Sequence, residues 1–230
     1  MEKLKLEFQE KVAVITFNSP PANALSSSLL HELADALDKV EKNKKVKAIV
    51  LKGEGRFFSA GADIKEFTSH QENADHQSLA GGLELAMSCH MRIVTKTAKL
   101  GLPELTLGII PGFAGTQRLP RYVGQAKAYE MILTGKPITG EEAAQLGLAN
   151  HAVEEEELSS FTMNLVNQIV DKSGPSIHAV MKLLPYTLTP QFQDGVKEEA
   201  KQFGAIFGTE DAKEGISAFI EKRKPNFKDQ

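Results

Sequence analysis

The chain has 230 residues, of which 41% are hydrophobic and 25% are charged, a composition that suits one globular domain or one domain with an appendage. Its formal net charge of −3 provides no global positive field to recruit nucleic acid or an acidic membrane surface, and its one cysteine, Cys89, excludes an internal disulfide. No apolar run approaches the roughly 18 residues of a membrane span. The first residues lack the apolar block of a signal peptide, so we expect a soluble, cytoplasmic protein.

The first part of the chain has the pattern strand, strand, helix, strand. Alternating apolar residues over 4–8 and an apolar run over 12–17 predict a hairpin whose second strand is central in a sheet. Ser26 or Ser27 can cap a following helix that carries leucines at helical spacing, and the run over 46–51 returns as a strand. This order predicts a β-α-β unit with a right-handed crossover.

A cluster of small residues, Ala60-Gly61-Ala62, follows that unit. Asp63 and Glu66 fit a capping box, so a helical turn is expected to begin here, and a plain cap is enough to explain Asp63. The small residues are more informative, because they leave the backbone N–H of Ala62 open to a ligand.

Two glutamates, Glu84 and Glu104, stand twenty positions apart in unusual settings. Glu84 lies in the first turn of a predicted helix over 83–89, directly after the pair Gly81-Gly82, and Glu104 leads into a loop rich in glycine and proline. A glycine pair at a helix start exposes N–H groups, and that end of a helix favours negative charge. Taken alone, Glu84 is also explained by the helix dipole, and Glu104 is also explained as a surface carboxylate.

The rest of the chain is predominantly helical, and we predict an α/β core over 1–172 and a C-terminal helical oligomerisation region over 173–230. An apolar stripe along the predicted helix over 190–207 needs another surface to cover it, which a second subunit could supply. The remaining expected elements are helices over 115–123, 125–133, about 155–172, about 175–185 and about 209–222, a capping box of Thr139 and Glu142, and a short edge strand or extended link over 148–153.

Two backbone donors and two carboxylates suit a reaction in which a carbon next to a carbonyl gains or loses a proton. The N–H groups of Ala62 and Gly81 would hold the oxygen of a thioester as it becomes an enolate. Glu84 and Glu104 would share one water, from which one carboxylate takes a proton while the other group gives a proton to carbon. Like charges that close cannot both ionise cheaply, so we expect one of the two to hold its proton more tightly than the other.

Five segments of the chain share their residues with one known family. They are FFSAGADIKEF, GGLELAMSCHMRI, LGLPELTLGIIPGFAGTQRLPR, ITGEEAAQLGLAN and the tail TEDAKEGISAFIEKRKPNF. In these segments the chain resembles the enoyl-CoA hydratase (crotonase) family, and the resemblance extends over nearly the whole chain. The resemblance implies an α/β spiral of ββα repeats followed by a helical trimerisation region, assembled as a homotrimer or as a homohexamer of two trimers. It also implies an acyl-CoA thioester as substrate, held at an oxyanion hole formed by the Ala62 and Gly81 N–H groups, and no separate cofactor.

The resemblance also implies roles for individual residues. Hydratases of this family have both glutamates, whereas isomerases and other branches usually keep one, so the implied activity is enoyl-CoA hydration in fatty acid β-oxidation. Glu84 would orient and deprotonate the water that adds at C3, and Glu104 would protonate C2. At the tail, Lys222 or Lys224 would meet a phosphate of CoA bound to a neighbouring subunit, although a cationic helix end explains these lysines equally well. Residues expected to line the path of adenine and pantetheine are Ala60, Ala62, Asp63, Ile64 and Lys65.

One departure from the family lies between the two donor motifs. There the family has a helix and then a buried strand that leads into three small residues, whereas this chain has only SHQENADHQSLA, with Ala80 in place of the first usual glycine. A helix, a strand and their connections account for about thirty positions. We expect the molecule to contain this segment, so that the numbering crosses a break between about 70 and 81.

Two other interpretations stay open. One is a different acyl-CoA enzyme of this fold, such as an isomerase or a branched-chain (methylglutaconyl-CoA) hydratase. The other is a non-catalytic scaffold or an RNA-binding relative, although the chain lacks the clustered cations that phosphate binding needs. The six histidines have no metal-ligand spacing, and we expect no bound metal, nucleic acid or membrane partner.

Overall fold

The computed structural model describes residues 1–63, 81–187 and 189–230. These residues divide into two units, Met1–Met163 and Asn164–Gln230. The expected break between about 70 and 81, the capping partner Glu66 and the expected CoA-binding residues Ile64 and Lys65 fall within positions 64–80. They therefore lie outside the described residues.

A three-stranded sheet begins the first unit. β1 (Leu4–Gln9) pairs antiparallel with β2 (Val12–Phe17), and β2 pairs parallel with β3 (Ala48–Gly53). All six residues of β2 are buried, which confirms the central strand expected from its apolar run. Between β2 and β3, α1 (Ser27–Lys42) begins after Ser26, whose Oγ accepts an N–H of the first turn at 3.3 Å. The predicted order of strand, helix and strand is confirmed, as is the predicted cap.

Short elements make up the rest of the first unit. In chain order they are α2 (Gly82–Ser88), β4 (Ile93–Thr95), β5 (Lys99–Leu100), a 3₁₀ turn (Glu104–Leu107), α3 (Gly115–Val123), α4 (Gln125–Thr134), β6 (Ile138–Thr139), α5 (Gly140–Gln145), β7 (His151–Val153) and a second 3₁₀ turn (Glu155–Glu157). β4 pairs parallel with β7, and β5 pairs antiparallel with β6. No sequence pattern marked β4, β5 or β6, because two or three residues are too few to show alternation. The stretch predicted as a strand over 148–153 forms a strand only at 151–153. Leu148 and Ala149 lie in the bend before that strand and are buried.

Two apolar cores hold the first unit together, and α2 lies between them. Leu85 of α2 packs on the first core, whereas Leu83 and Met87 pack on the second. Because α2 contacts both cores, the backbone around Glu84 is fixed from two sides. The buried residues of the first core are Leu4, Ile15, Phe17, Leu25, Leu29, Leu33 and Ala36. Those of the second are Met87, Leu100, Leu102, Leu119, Ala128, Met131, Ile138, Ala143, Leu148 and Ala149.

The second unit is helical in its described residues. Thr209 Oγ1 accepts the Ala212 N–H at 3.1 Å and confirms the predicted start of the last helix, and Pro175 lies in the first turn of the second one, also as predicted. The first helix starts later than expected, because 155–157 form a 3₁₀ turn. In the part of the chain that the structure describes, no helix is both long enough and apolar enough to cross a lipid bilayer. The helices are α6 (Leu158–Val170), which begins in the first unit, α7 (Gly174–Leu183), α8 (Phe192–Phe207) and α9 (Glu210–Ile220), with a 3₁₀ turn (Leu184–Tyr186) after α7.

Candidate active site

Glu84 is a buried carboxylate to which three backbone N–H groups donate. The residue is 2% exposed and lies in the first turn of α2. The Phe113 and Gly115 N–H groups each donate to Oε1 at 2.8 Å, and the Gly81 N–H donates to Oε2 at 3.2 Å. A carboxylate away from water needs such donors, and hydrogen bonds to a charged group are the strong ones. The carboxylate of Glu84 is therefore held in place by the main chain.

The backbone at Ala114 aims two of these N–H groups at the same oxygen. Ala114 has φ 65° and ψ 18°, in the left-handed region, and directly precedes α3. Successive N–H groups around a left-handed residue form a concave site for an anion. The Phe113 carbonyl accepts a hydrogen bond from Arg118 Nη1 at 3.0 Å, which ties this turn to α3. Gly115 has no room for a side chain, because a Cβ there would lie 2.6 Å from Glu84 Oε1.

Glu104 is the first residue of the 3₁₀ turn that ends at the left-handed Gly108, whose φ is 76°. Its Oε2 atom is buried and has no hydrogen-bond partner among the described residues. Burial raises the pKa of the Glu104 carboxyl above its usual range, a hydrogen bond from its own main chain opposes this, and the negative charge of Glu84 raises the pKa further. Glu104 therefore keeps its proton to higher pH than an ordinary glutamate does.

The two carboxyl groups meet at Gly81. A Cβ built on Gly81 would lie 2.8 Å from Glu84 Oε2 and 3.3 Å from Glu104 Oε1, both closer than ordinary van der Waals contact. The two oxygens thus flank a single point, so a side chain at position 81 would meet both carboxyl groups. Such an approach suits one water bridging the two groups. The structure brings together the pair of glutamates that the sequence predicts.

The two predicted N–H donors differ in what they contact. Ala62 forms an isolated parallel bridge with Leu25, in which the Leu25 N–H donates to the Gly61 carbonyl at 2.8 Å. Over residues 1–63, 81–187 and 189–230, the Ala62 N–H finds no acceptor. The Gly81 N–H, by contrast, donates to Glu84 Oε2. One donor is therefore open, and the other has an acceptor inside the protein.

The two donor segments lie against each other. A Cβ on Gly82 would lie 2.7 Å from the Ser59 carbonyl oxygen, so the start of α2 packs directly on the backbone that precedes Ala60. The Ala60 N–H donates to the Ala22 carbonyl at 2.9 Å, which anchors the turn. Ala60 is exposed and Asp63 is half-buried, so both are accessible at the surface beside the open donor.

Arg92, which sequence patterns did not reveal, fastens the other end of α2. The residue is 8% exposed, and its Nη1 donates to the carbonyls of Ala86 at 3.2 Å and Cys89 at 2.6 Å. Its guanidinium also lies over the ring of Tyr122 in α3, 4.4 Å from the centroid. A cation is favoured at the C-terminal end of a helix. Arg92 thus holds that end of α2, while the contacts of Glu84 hold the N-terminal end.

The lysines expected to bind CoA lie in the second unit. Lys222 follows α9 with φ 55°, and Lys224 Nζ forms an ion pair with Asp171 at 2.7 Å. Their approach to CoA stays a prediction. Outside positions 64–80 and 188, no three His, Cys, Asp or Glu side chains are grouped so as to hold a metal ion.

Known proteins resemble this chain over most of its length. The sequence model of the enoyl-CoA hydratase/isomerase family matches residues 7–79 and 76–230. A probable enoyl-CoA hydratase from Bacillus subtilis is 49% identical over 256 residues, covering 99% of each chain, and the short-chain-enoyl-CoA hydratase of Clostridium acetobutylicum is 36% identical over 247 residues, covering 95% of each. A crystal structure of enoyl-CoA hydratase from Bacillus anthracis has a TM-score of 0.93 at 30% identity, covering 99% of this chain and all of that one. The two family matches overlap at 76–79, inside the stretch where the sequence has only SHQENADHQSLA between the two donor motifs.

Proposed function

Because this chain belongs to the enoyl-CoA hydratase/isomerase family, we propose that it is an enoyl-CoA hydratase, which adds water across the C2=C3 double bond of a trans-2-enoyl-CoA to give a 3-hydroxyacyl-CoA. The observation that carries the proposal is the meeting of Glu84 and Glu104 at Gly81. One carboxylate is held by main-chain donors, and the other carboxyl is half-buried with an unpartnered oxygen. Such an asymmetric pair suits a reaction that removes one proton and delivers another.

The thioester oxygen would be bound by the N–H groups of Ala62 and Gly81. Addition at C3 pushes electrons toward that oxygen, so an enolate develops there, and fixed N–H dipoles stabilise it as its charge appears. One donor of this kind typically contributes about 2.7–4 kcal/mol to transition-state stabilisation. Main-chain donors suit this task because the fold aligns them in advance and they do not titrate.

Glu84 would act as the base and Glu104 as the acid. The Phe113 and Gly115 N–H groups hold Glu84 through Oε1, which leaves Oε2 to take a proton from water as the water oxygen bonds to C3. Burial raises the pKa of Glu104, which favours its protonated form, and that form would deliver the proton to C2. A proton passing from Glu84 to Glu104 across their shared space then restores both groups for the next turnover.

We further propose short-chain thioesters as substrates, in a step of fatty acid β-oxidation. The support is the name of the Clostridium acetobutylicum relative, a short-chain-enoyl-CoA hydratase. Ala60 and residues 62–65 would line the path of pantetheine and adenine, and Lys222 or Lys224 would meet a CoA phosphate. Because CoA is part of the substrate, we expect no separate cofactor, and a cytoplasmic location fits the single cysteine.

The second unit supports a proposal of self-assembly as a trimer or a hexamer of two trimers. Four apolar side chains of α8 are exposed, namely Phe192, Val196, Phe203 and Phe207, at 53%, 49%, 67% and 59%. They recur along the helix at intervals of four or seven positions, so they form one face, and a face of this kind is covered in stable proteins. Light scattering after size-exclusion chromatography tests the assembly, and a monomeric mass would contradict it.

Loss of the conjugated thioester absorbance of crotonyl-CoA tests the activity. Wild-type protein should consume crotonyl-CoA, and Glu84→Gln and Glu104→Gln should each lower kcat by about 10²-fold or more. Glu130→Gln, which alters an exposed glutamate of α4, is the matched control and should keep wild-type activity. A wild-type protein that leaves crotonyl-CoA unchanged, or one that shifts the double bond of a 3-enoyl-CoA faster than it hydrates crotonyl-CoA, would contradict the proposal.

A further inference from the structure

The Gly81 N–H, which the proposed function assigns to the thioester oxygen, already has an acceptor in the protein. It donates to Glu84 Oε2 at 3.2 Å. A single N–H cannot bond fully to two acceptors, and a charged carboxylate is a stronger acceptor than a neutral thioester carbonyl. Acyl-CoA must therefore compete with Glu84 for this donor.

The two oxygens of Glu84 are held unequally. Oε1 accepts two N–H groups at 2.8 Å, from Phe113 and Gly115, whereas Oε2 accepts only the longer bond from Gly81. Losing the Gly81 contact would leave the carboxylate anchored through Oε1. The side chain can consequently release Gly81 while keeping its place in the site.

Oε2 is also the Glu84 oxygen that faces Glu104. The point at which a Gly81 Cβ would lie is 2.8 Å from Glu84 Oε2 and 3.3 Å from Glu104 Oε1. This geometry favours Oε2, the same atom that accepts the Gly81 N–H, as the Glu84 oxygen to which a shared water would bond. The thioester thus needs the donor of this hydrogen bond, the Gly81 N–H, and the water needs its acceptor, Glu84 Oε2.

We propose that acyl-CoA binding exchanges partners at Gly81: the thioester oxygen displaces Glu84 Oε2 from the N–H, and the released Oε2 accepts a hydrogen bond from the reacting water. This inference rests on the proposed hydratase function. In the free enzyme Glu84 occupies half of the oxyanion hole, so the base is completed only when the thioester arrives. Glu84 thereby weakens the binding of the ground-state thioester while it promotes the reaction.

Calorimetric binding of butyryl-CoA tests the exchange, because this saturated thioester has the carbonyl but no double bond to hydrate. In Glu84→Gln the amide oxygen should face the Phe113 and Gly115 donors, which turns its NH₂ group toward the Gly81 N–H and leaves that donor free. We expect Glu84→Gln to bind butyryl-CoA about tenfold more tightly than wild type, the factor for one hydrogen bond to a charged group. Glu104→Gln changes the facing carboxyl in the same way but does not free the donor, so its affinity should stay within about twofold of wild type.

Free CoA, which lacks the carbonyl, separates this effect from a general change in the site. All three proteins should bind CoA equally. The exchange is refuted if Glu84→Gln binds butyryl-CoA no more tightly than wild type, if both variants tighten alike, or if CoA affinity rises in parallel. If wild type binds neither ligand, the proposed function fails together with the exchange, whereas hydration of crotonyl-CoA without the tightening defeats the exchange alone.

A measurement on the wild-type protein covers the case in which Glu84→Gln does not fold. With glycine labelled by ¹⁵N, the amide proton of Gly81 should move upfield on saturation with butyryl-CoA, because a neutral oxygen replaces a charged one. Free CoA should leave that signal in place. A Gly81 signal that butyryl-CoA does not move, or moves downfield, contradicts the exchange.

Discussion

Replacing Gly115 by alanine tests whether the position of the Glu84 carboxylate controls the rate. The added Cβ would lie 2.6 Å from Glu84 Oε1, 2.9 Å from Pro111 Cβ and 3.0 Å from Leu102 Cδ1. Pro111 and Leu102 pack on the other sides of the added Cβ, so we expect the Glu84 carboxylate, at the free end of its side chain, to move. To reach ordinary contact at 3.4 Å it has to retreat by about 0.8 Å, which takes it away from its two N–H donors.

A misplacement near 1 Å costs about 10²-fold in rate, so we expect kcat for crotonyl-CoA to fall by about that factor in Gly115→Ala while KM changes little. The crowding should also lower the free energy of unfolding in urea by about 1–3 kcal/mol. Gly204→Ala is the control, because a Cβ there has nothing within 4 Å, and it should retain wild-type kcat. A folded Gly115→Ala protein with near wild-type kcat would refute this account of Glu84.

Substitutions at Ala114, Arg92 and Glu104 have expected effects on stability. Ala114→Gly should raise the free energy of unfolding in urea by up to about 1 kcal/mol, because an L-residue is strained at φ 65° and glycine is not; a loss of stability would contradict the strain. Arg92→Met should lower the free energy of unfolding by about 3 kcal/mol, because the carbonyls of Ala86 and Cys89 lose their donor. Arg92→Lys should lose less of this free energy than Arg92→Met but should not reach wild type. An unchanged melting temperature in Arg92→Met would show that these contacts contribute little. The raised pKa of Glu104 gives stability that is present at low pH and lost as pH rises through the folded-state value. Glu104→Gln should therefore melt above wild type near pH 8 and alongside it near pH 4, and a gap that shrinks with rising pH would be evidence against the raised pKa.

Local signals in the sequence were enough to predict the α/β class and to single out Glu84 and Glu104 as a pair. The apolar run of β2 and the glycine pair before Glu84 determine the structure of neighbouring residues only. Such local signals can be recognised in a single sequence. The crotonase-type fold, implied by resemblance, is confirmed by the similarity to the Bacillus anthracis hydratase. The meeting of Glu84 with Glu104 was expected from the roles that their settings suggest, and the structure shows it at Gly81.

What the sequence did not reveal depends on contacts between distant segments. The donors from Phe113 and Gly115 reach Glu84 because Ala114 is left-handed, and alanine gives no sign of that conformation. The glycines of GFAGTQ were the one available hint. The contacts of Arg92 and the short pairs β4–β7 and β5–β6 join residues that are far apart in the chain, so no local pattern marks them. The hydrogen bond from Gly81 to Glu84 was likewise hidden, because the same glycine pair fits an open donor equally well.

The central claim is that Glu84 and Glu104 act together on one water. Its most direct test is kcat for crotonyl-CoA in Glu84→Gln, Glu104→Gln and the double variant. Groups that act as a unit lose their effect together, so the double variant should be little slower than the slower single variant. If the fold decrease in kcat of the double variant equals the product of the two single decreases, the two carboxyl groups act independently. The shared-water mechanism would then be wrong.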